Sequence, residues 1–306
     1  MAYTWGRQNI KAGDEIIIST MEHHSNIVPW QILCEEKGAI LKIIPINDAG
    51  ELLMDAYQKL LGPKTKLVSV VHASNVLGTI NPVKQIIELA HAAGAVVLVD
   101  GAQSAVHLDI DVQEMDCDFF AFSAHKVYGP TGVGILYGKK KILESMPVFM
   151  GGGEMIKEVT FAKTTYNDLP YKFEAGTPNI ADTVAFKAAL LFLKNTGKEK
   201  IRKHEHELLL YATSRLEQIP GLRIIGRAKE KVSVISFVIE NAHPQDIGIL
   251  LDNRGIAVRT GHHCAEPLMQ RFNIPGTIRA SFAVYNTKEE VDELVSGLQK
   301  AIKMLS

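Results

Sequence analysis

Two charged residues in the first half of the chain stand directly after apolar runs that predict buried strands. Lys126 follows a run that begins at Phe119, and it precedes a Gly-Pro-Thr-Gly turn that begins at Gly129. Asp100 follows the run Val-Val-Leu-Val. Each residue alone is more often structural, as a surface lysine or an aspartate that caps a turn. At the ends of successive strands, an amine that can reach an aldehyde and a carboxylate that can pair with a ring nitrogen together favour the chemistry of pyridoxal phosphate (PLP).

Two polar segments follow other predicted strands of the same half. His23 and His24 lie in Met-Glu-His-His-Ser-Asn after the first strand, and Asn75 lies in His-Ala-Ser-Asn after a later one. His23 could stack on a flat cofactor ring, act as an acid or base, cap a helix or join a metal site. Neighbouring histidines point in different directions, which makes them a poor pair of metal ligands. Asn75 could hydrogen-bond a ring hydroxyl or simply hold the turn.

A third candidate is the segment Arg-Thr-Gly-His-His-Cys, which runs from Arg259 to Cys264. A cysteine in such a loop is placed for nucleophilic chemistry, because a nearby cation favours the thiolate. The competing interpretation is a zinc site from His262, His263 and Cys264, but three consecutive residues converge poorly on one tetrahedral ion. Further along, the fork-shaped cation of Arg279 could clamp an amino-acid carboxylate or form a structural salt bridge.

The elements that would position these residues change in kind along the chain. Apolar runs alternate with amphipathic stretches in residues 1–194, which predicts a mostly parallel α/β sheet with catalytic groups at the carboxyl ends of its strands. Residues 195–306 predict a smaller α+β domain, with a strand at 256–259 before the cysteine loop and a last helix opened by the capping box Thr287-x-x-Glu290. The strands of the large domain are all expected to be buried. They begin at Glu15, Leu41, Lys66, Ala95, Phe119 and Gly134.

Composition limits the classes of function. The 306 residues suffice for two domains with buried cores, and a net charge of -1 offers no attraction to nucleic acid or to an acidic membrane surface. We expect neither a signal peptide nor a membrane span at the N-terminus. Three widely spaced cysteines argue against a disulfide framework and fit a reducing cytoplasm. Of these, Cys34 and Cys117 are expected to be packing residues.

Taken together and in this order, the motifs resemble the class V aminotransferase family of PLP enzymes, and most closely its SUF-type (group II) cysteine desulfurases. The resemblance runs from the first residues to the last helix. It implies an α/β fold, that of the type I PLP-dependent transferases, and a homodimer. The segments that carry it are 21–30, 76–79, 99–103, 123–126, 129–132, 173–178 and 259–264.

The resemblance also assigns roles to individual residues. It implies that Lys126 holds PLP, that Cys264 accepts the sulfur atom, and that Arg279 and Arg259 bind the substrate. The remaining assignments concern the cofactor. His23 stacks on the ring, Asp100 pairs with the ring nitrogen, Gln103 and Asn75 address the ring-hydroxyl side, Ser123 and His125 contact the phosphate, and Thr177 reaches the phosphate in the partner subunit.

The activity implied is conversion of L-cysteine to L-alanine, with a persulfide left on Cys264. An acceptor protein of the SUF system would take the sulfur towards iron–sulfur clusters. A selenocysteine lyase or an aminotransferase of the same family is the nearest alternative, and an inactive fragment is another. The family carries a further segment ahead of these motifs, with a Gly-Thr-Thr turn that holds the PLP phosphate. Without that segment, we expect the chain as given to bind PLP weakly and turn over poorly.

Overall fold

A computed structural model describes residues 1–305, in which strands and helices alternate through the first half of the chain. The strands are β1 Glu15–Ser19, β2 Ile40–Ile44, β3 Thr65–Val71, β4 Val96–Asp100, β5 Phe119–Ser123, β6 Gly134–Gly138, β7 Ile156–Val159, β8 Thr164–Tyr166, β9 Leu222–Ile225, β10 Val234–Ile239, β11 Arg259–Gly261 and β12 Thr277–Ser281. The helices are α1 Arg7–Asn9, α2 Val28–Lys37, α3 Met54–Leu60, α4 Val83–Ala92, α5 Ser104–His107, α6 Val112–Met115, α7 Lys140–Ser145, α8 Ile180–Thr196, α9 Lys198–Leu216, α10 Pro244–Asp252, α11 Glu266–Phe272 and α12 Lys288–Leu305. Short helical turns lie at Ala2–Gly6, His24–Asn26, Ala124–Lys126 and Tyr171–Phe173.

The larger sheet has the strand order β2-β1-β3-β4-β5-β6, and only the pairing of β5 with β6 is antiparallel within residues 1–305. Its inner strands β1, β3 and β4 consist mainly of Ile, Val and Leu side chains that are buried. Such continuous apolar runs form strands that are covered on both faces. The predicted α/β class with a mostly parallel sheet is therefore confirmed.

Two predictions about individual strands are wrong. The strands β2 and β6 were expected to be buried, but as the two edges of the sheet they are partly exposed. The strand predicted at 256–259 starts only at Arg259. The apolar side chains of Ile256 and Val258 pack against a second hydrophobic core, which lies around the small antiparallel sheet, but their backbone joins no sheet.

The second sheet is antiparallel, has the order β11-β12-β10-β9, and forms that second core with the helices α9, α10 and α12. The predicted capping box opens α12, because Thr287 N donates to Glu290 Oε2 at 3.0 Å and Glu290 N donates to Thr287 Oγ1 at 3.3 Å. The domain division between residues 194 and 195 stays a prediction, and it falls in the last turn of α8. Across the described residues 1–305, none of the helices combines the length and apolar composition needed to cross a bilayer.

Candidate active site

The carboxyl ends of β4 and β5 lie side by side, because these strands are parallel neighbours. Asp100 is the last residue of β4, and Lys126 closes the helical turn that follows β5. Both residues line one cavity of about 530 Å³. Four more of the predicted site residues line the same cavity, namely His23, Ser123, His125 and Arg259. The fold thus brings together residues from three strand ends of the large sheet and from the small antiparallel sheet.

The environment of Lys126 favours a neutral amine. Burial is the main cause of its lowered pKa, and the cations Arg279 and Arg259 lower the pKa further, whereas Asp100 and Cys264 act in the opposite direction. An amine must lose its proton before it can attack an aldehyde, so this shift suits Lys126 to Schiff-base formation. The same interactions place Arg279 and Cys264 within electrostatic range of the amine.

The turn after β1 presents His23 to the cavity. His23 Nδ1 accepts a hydrogen bond from Ser25 N at 3.1 Å and so caps the helical turn His24–Asn26. Burial, and then the positive charge of Lys126, lowers the pKa of His23 below its usual 6.5. The ring is therefore neutral near pH 7.

Glu22, one residue before His23, is fully buried and ties this turn to the sheet. Its Oε1 is hydrogen-bonded to Ser19 Oγ and accepts from Val71 N at 3.0 Å, while its Oε2 accepts from Asn26 Nδ2 at 2.7 Å. Burial raises the pKa of Glu22 to about 7, although these hydrogen bonds oppose the shift. Sequence reasoning missed Glu22 as the residue that anchors the turn of His23. The one available signal was an acid inside the polar run that follows a buried strand.

Cys264 lies in a tight loop between β11 and α11, beside the cavity. Arg259 Nη2 is 3.6 Å from Cys264 Sγ, so the expected pairing of cation and thiol is present. His263 Nε2 is hydrogen-bonded to Thr277 Oγ1 at 2.8 Å, and burial lowers the pKa of His263 to about 4. His263 therefore serves the loop as a neutral, buried ring. Among the described residues, no group of three or more His, Cys, Asp or Glu side chains is arranged to hold a metal ion.

Arg279, on β12, reaches the turn that follows β3. Its Nη1 donates to the carbonyl oxygen of Asn75 at 2.8 Å, and Asn75 Nδ2 donates to the carbonyl oxygen of His263 at 2.8 Å. Burial, and then Arg259, lowers the pKa of Arg279 to about 10, so the side chain remains a cation at neutral pH. Within residues 1–305, Arg279 Nε and Asn75 Oδ1 are buried without a hydrogen-bond partner. A buried unpaired donor and acceptor are typical of a site built for a polar ligand.

Five predicted site residues are not among the described residues that line the cavity, namely Cys264, Asn75, Arg279, Gln103 and Thr177. The first three are linked to the cavity residues or to one another by the contacts described above. The other two are Gln103 and Thr177. Gln103 is half-buried at the start of α5, and Thr177 is exposed in the loop before α8. The role implied for Thr177 lies in a second subunit, and an exposed position is compatible with that role. Both assignments stay predictions.

The groups of the cavity fit PLP. Lys126 supplies an amine for the aldehyde, and Asp100 supplies a carboxylate for the ring nitrogen. His23 supplies a flat neutral ring, while Ser123 and His125 supply polar groups for a phosphate. The volume of about 530 Å³ is in the usual range for small-molecule sites.

The family model described as aminotransferase class-V matches residues 1–294. The chain belongs to the class V aminotransferase family. A member of curated function, a cysteine desulfurase from Synechococcus elongatus, is 54% identical over 98% of this chain and 48% of its own length. The chain spans about half the length of that protein and of two mycobacterial relatives.

Solved structures place this member of the class V aminotransferase family among PLP-dependent transferases of fold type I, which confirms the predicted fold. The cysteine desulfurase CsdA (S-sulfonic acid) from Escherichia coli gives a TM-score of 0.97, at 41% identity over 100% of this chain and 76% of that one. A variant of C-DES with glycine covalently linked to its PLP cofactor gives a TM-score of 0.82, at 25% identity over 95% of this chain and 75% of that one.

Proposed function

We propose that this member of the class V aminotransferase family is a PLP-dependent cysteine desulfurase, which converts L-cysteine to L-alanine and leaves the sulfur on Cys264 as a persulfide. One observation carries the proposal. Cys264 Sγ lies 3.6 Å from the cationic Arg259, which itself lines the cavity of Lys126 and Asp100. An aminotransferase has no need of a thiol in this position. The names of the relatives and of the neighbouring solved structures support the same activity.

Different residues of the cavity would bind the aldehyde, the ring and the phosphate of PLP. Lys126 would attach the aldehyde, His23 would cover the ring, and Ser123 and His125 would bind the phosphate. When bound, PLP withdraws electrons from the α-carbon of an amino acid. Asp100 would support that withdrawal, because a carboxylate beside the ring nitrogen keeps the nitrogen protonated.

Arg279 would bind the carboxylate of L-cysteine, since its Nε is a buried donor without a partner in the described part of the chain. Lys126 Nζ, with its lowered pKa, would accept the α-proton. The Cys264 thiolate would then attack the sulfur of the substrate. A bond forms between the two sulfur atoms while the carbon–sulfur bond breaks, and its electron pair stays on carbon. Protonation of that carbon, together with return of the α-proton from Lys126 Nζ to the α-carbon, yields alanine.

We assign the protein to the SUF-type (group II) branch, whose compact cysteine loop resembles the one here. Cys264 falls between the end of β11 at Gly261 and the start of α11 at Glu266. The proposal includes a cytoplasmic location, a homodimer and a sulfur-acceptor protein of the SUF system. Exposed apolar side chains support the homodimer, because a large apolar side chain gains stability when a partner removes it from water. They include Phe161, Val184 and Leu191.

The test adds PLP and L-cysteine to the parent chain and to Cys264→Ser. The variant should keep the visible absorbance of bound PLP, lose the persulfide, and form alanine about 100-fold more slowly or worse, because a serine oxygen accepts sulfur poorly. Mass spectrometry of the 262–268 peptide detects the persulfide. Cys34→Ala, at a buried cysteine, is the matched control and should form persulfide at the parent rate. Alanine formation by Cys264→Ser at the parent rate would place the nucleophile elsewhere.

A further inference from the structure

The turn that carries His23 is hydrogen-bonded to the loop that carries Cys264. His24 N donates to the carbonyl oxygen of Cys264 at 2.7 Å, and Glu266 N donates to His24 Nε2 at 3.0 Å. One of these hydrogen bonds is made at the cysteine itself and the other two residues later. Only the second depends on the His24 side chain.

We propose that His24 is a positioning residue whose ring holds the Cys264 loop against the turn of His23. The proposal rests on the proposed function, because it takes Cys264 as the sulfur-accepting nucleophile. His23 lines the cofactor cavity and the next residue binds the nucleophile loop. Two adjacent residues of one turn therefore set the distance between the cofactor and the thiol.

The Cys264 loop depends on contacts from outside itself. His263 and Cys264 have φ angles of 54° and 58°, in the left-handed region that residues with side chains seldom adopt. Two such residues in succession persist only where their surroundings fix them. Before the thiol, Asn75 and Thr277 hold the backbone and ring of His263. After the thiol, the ring of His24 fixes the amide of Glu266.

The chemistry of this contact defines the variants that test it. Because Nε2 accepts the Glu266 amide, the neutral ring of His24 carries its proton on Nδ1. Glutamine can supply a carboxamide oxygen as the acceptor, whereas alanine and leucine supply none. The hydrogen bond from His24 N to Cys264 is made by backbone and is available to all three variants. The variants therefore isolate the side-chain acceptor.

The first measurement is amide hydrogen exchange of the 262–268 peptide in the full chain without PLP. We expect the Glu266 amide to exchange about tenfold faster in His24→Ala and His24→Leu, and close to the parent rate in His24→Gln. His243→Ala is the matched control. Its Nδ1 also accepts a backbone amide, from Gln245 at 3.3 Å, but at the start of α10. This variant should leave exchange in the peptide unchanged.

The second measurement is alanine formation with PLP and L-cysteine. His24→Ala and His24→Leu should lower kcat about tenfold with KM and PLP absorbance unchanged, because a misplaced thiol slows the sulfur-transfer step and leaves binding intact. His24→Gln should recover most of kcat, which a general loss of stability would not permit. Unchanged hydrogen exchange in both non-accepting variants would overturn the proposal, as would an unchanged kcat despite faster exchange. If neither the parent nor a chain extended by the family's upstream segment makes alanine, the proposed function fails, and hydrogen exchange alone decides whether His24 holds the loop.

Discussion

The charged groups at the amino and carboxyl ends of β4 and β5 differ in how many hydrogen-bond and ion-pair partners they have. At the amino end, Asp118 accepts hydrogen bonds from Val97 N and from His91 Nε2, both at 2.8 Å, and it pairs with Lys139 Nζ at 3.0 Å. At the carboxyl end, Lys126 has a lowered pKa and faces an open cavity instead of an ion-pair partner within residues 1–305. One end is saturated with partners, while the other keeps a reactive group available.

This difference separates stability from function within one sheet. A buried charge that is fully paired contributes to folding and has no capacity left for a ligand. A partly buried amine without a partner costs stability, and that cost is repaid only when something binds. The residue type is therefore a weaker guide to function than the number of partners that the fold supplies.

Lys126→Ala should have the largest effect and should confine it to activity. We expect alanine formation to fall by about 10³-fold or more, because the variant loses both the attachment point for PLP and the base. The free energy of unfolding should stay the same or rise, since a desolvated amine is removed. Steady-state kinetics and urea unfolding check the two expectations. Lys139→Ala, at the amino end of the strands, should lower the free energy of unfolding and leave alanine formation unchanged. Equal destabilisation by both variants would contradict the difference between the two ends.

Asp118→Asn should affect stability alone. Asparagine carries no charge to pair with Lys139, and it has one acceptor oxygen where aspartate has two. These losses should lower the free energy of unfolding by about 3 kcal/mol. Urea unfolding measures this loss, while PLP titration should show unchanged affinity. Asp116→Asn is the matched control, because Asp116 pairs with the same lysine at 2.7 Å but its side chain is 63% exposed. Its loss should stay below about 1 kcal/mol, and equal losses would contradict the role of burial.

Glu22→Gln should change how stability depends on pH. The folded-state pKa of Glu22 is raised from 4.5 to about 7, so between these values the folded protein holds a proton that the unfolded chain has released. Stability therefore falls as pH rises from 4.5 to 7. Glutamine does not titrate, so the variant should gain on the order of 2 kcal/mol relative to the parent between pH 5 and pH 8.

Urea unfolding at several pH values measures that change. The amide of the variant also faces the donors Val71 N and Asn26 Nδ2, and it accepts hydrogen bonds from them less well than a carboxylate. This lowers the free energy of unfolding by the same amount at every pH and leaves its dependence on pH unchanged. Parallel curves for the parent and the variant would contradict the raised pKa. In that case Glu22 would resemble the saturated carboxylate at the amino end of the sheet.

Much of this site could be predicted from sequence because its residues stand at strand ends. Asp100 and Lys126 each follow an apolar run, and parallel strands bring such ends together. The contact of Arg279 with Asn75 could not be predicted in this way, because it joins residues 204 positions apart, one on β12 and the other in the turn that follows β3. No local pattern encodes such a pairing.

The burial of individual side chains also could not be predicted from the sequence. The chain around Glu22 does not reveal that its carboxylate lies beneath a turn, since this depends on how β1 and β3 pack. The apolar residues Ile256 and Val258 have the alternation of a strand, but they owe it to packing against the second hydrophobic core. The same pattern therefore arises from two different physical causes.

The three thiols differ in their access to solvent, and this difference allows the reactive site to be counted by labelling. Cys34 and Cys117 are buried, and burial raises the pKa of both, that of Cys117 to about 11. Cys264 is the one cysteine within residues 1–305 that is partly open to solvent. A thiol-directed dye added to the native chain should therefore label one position per molecule. The bound dye then gives the concentration of intact nucleophile loops in a preparation, independently of total protein.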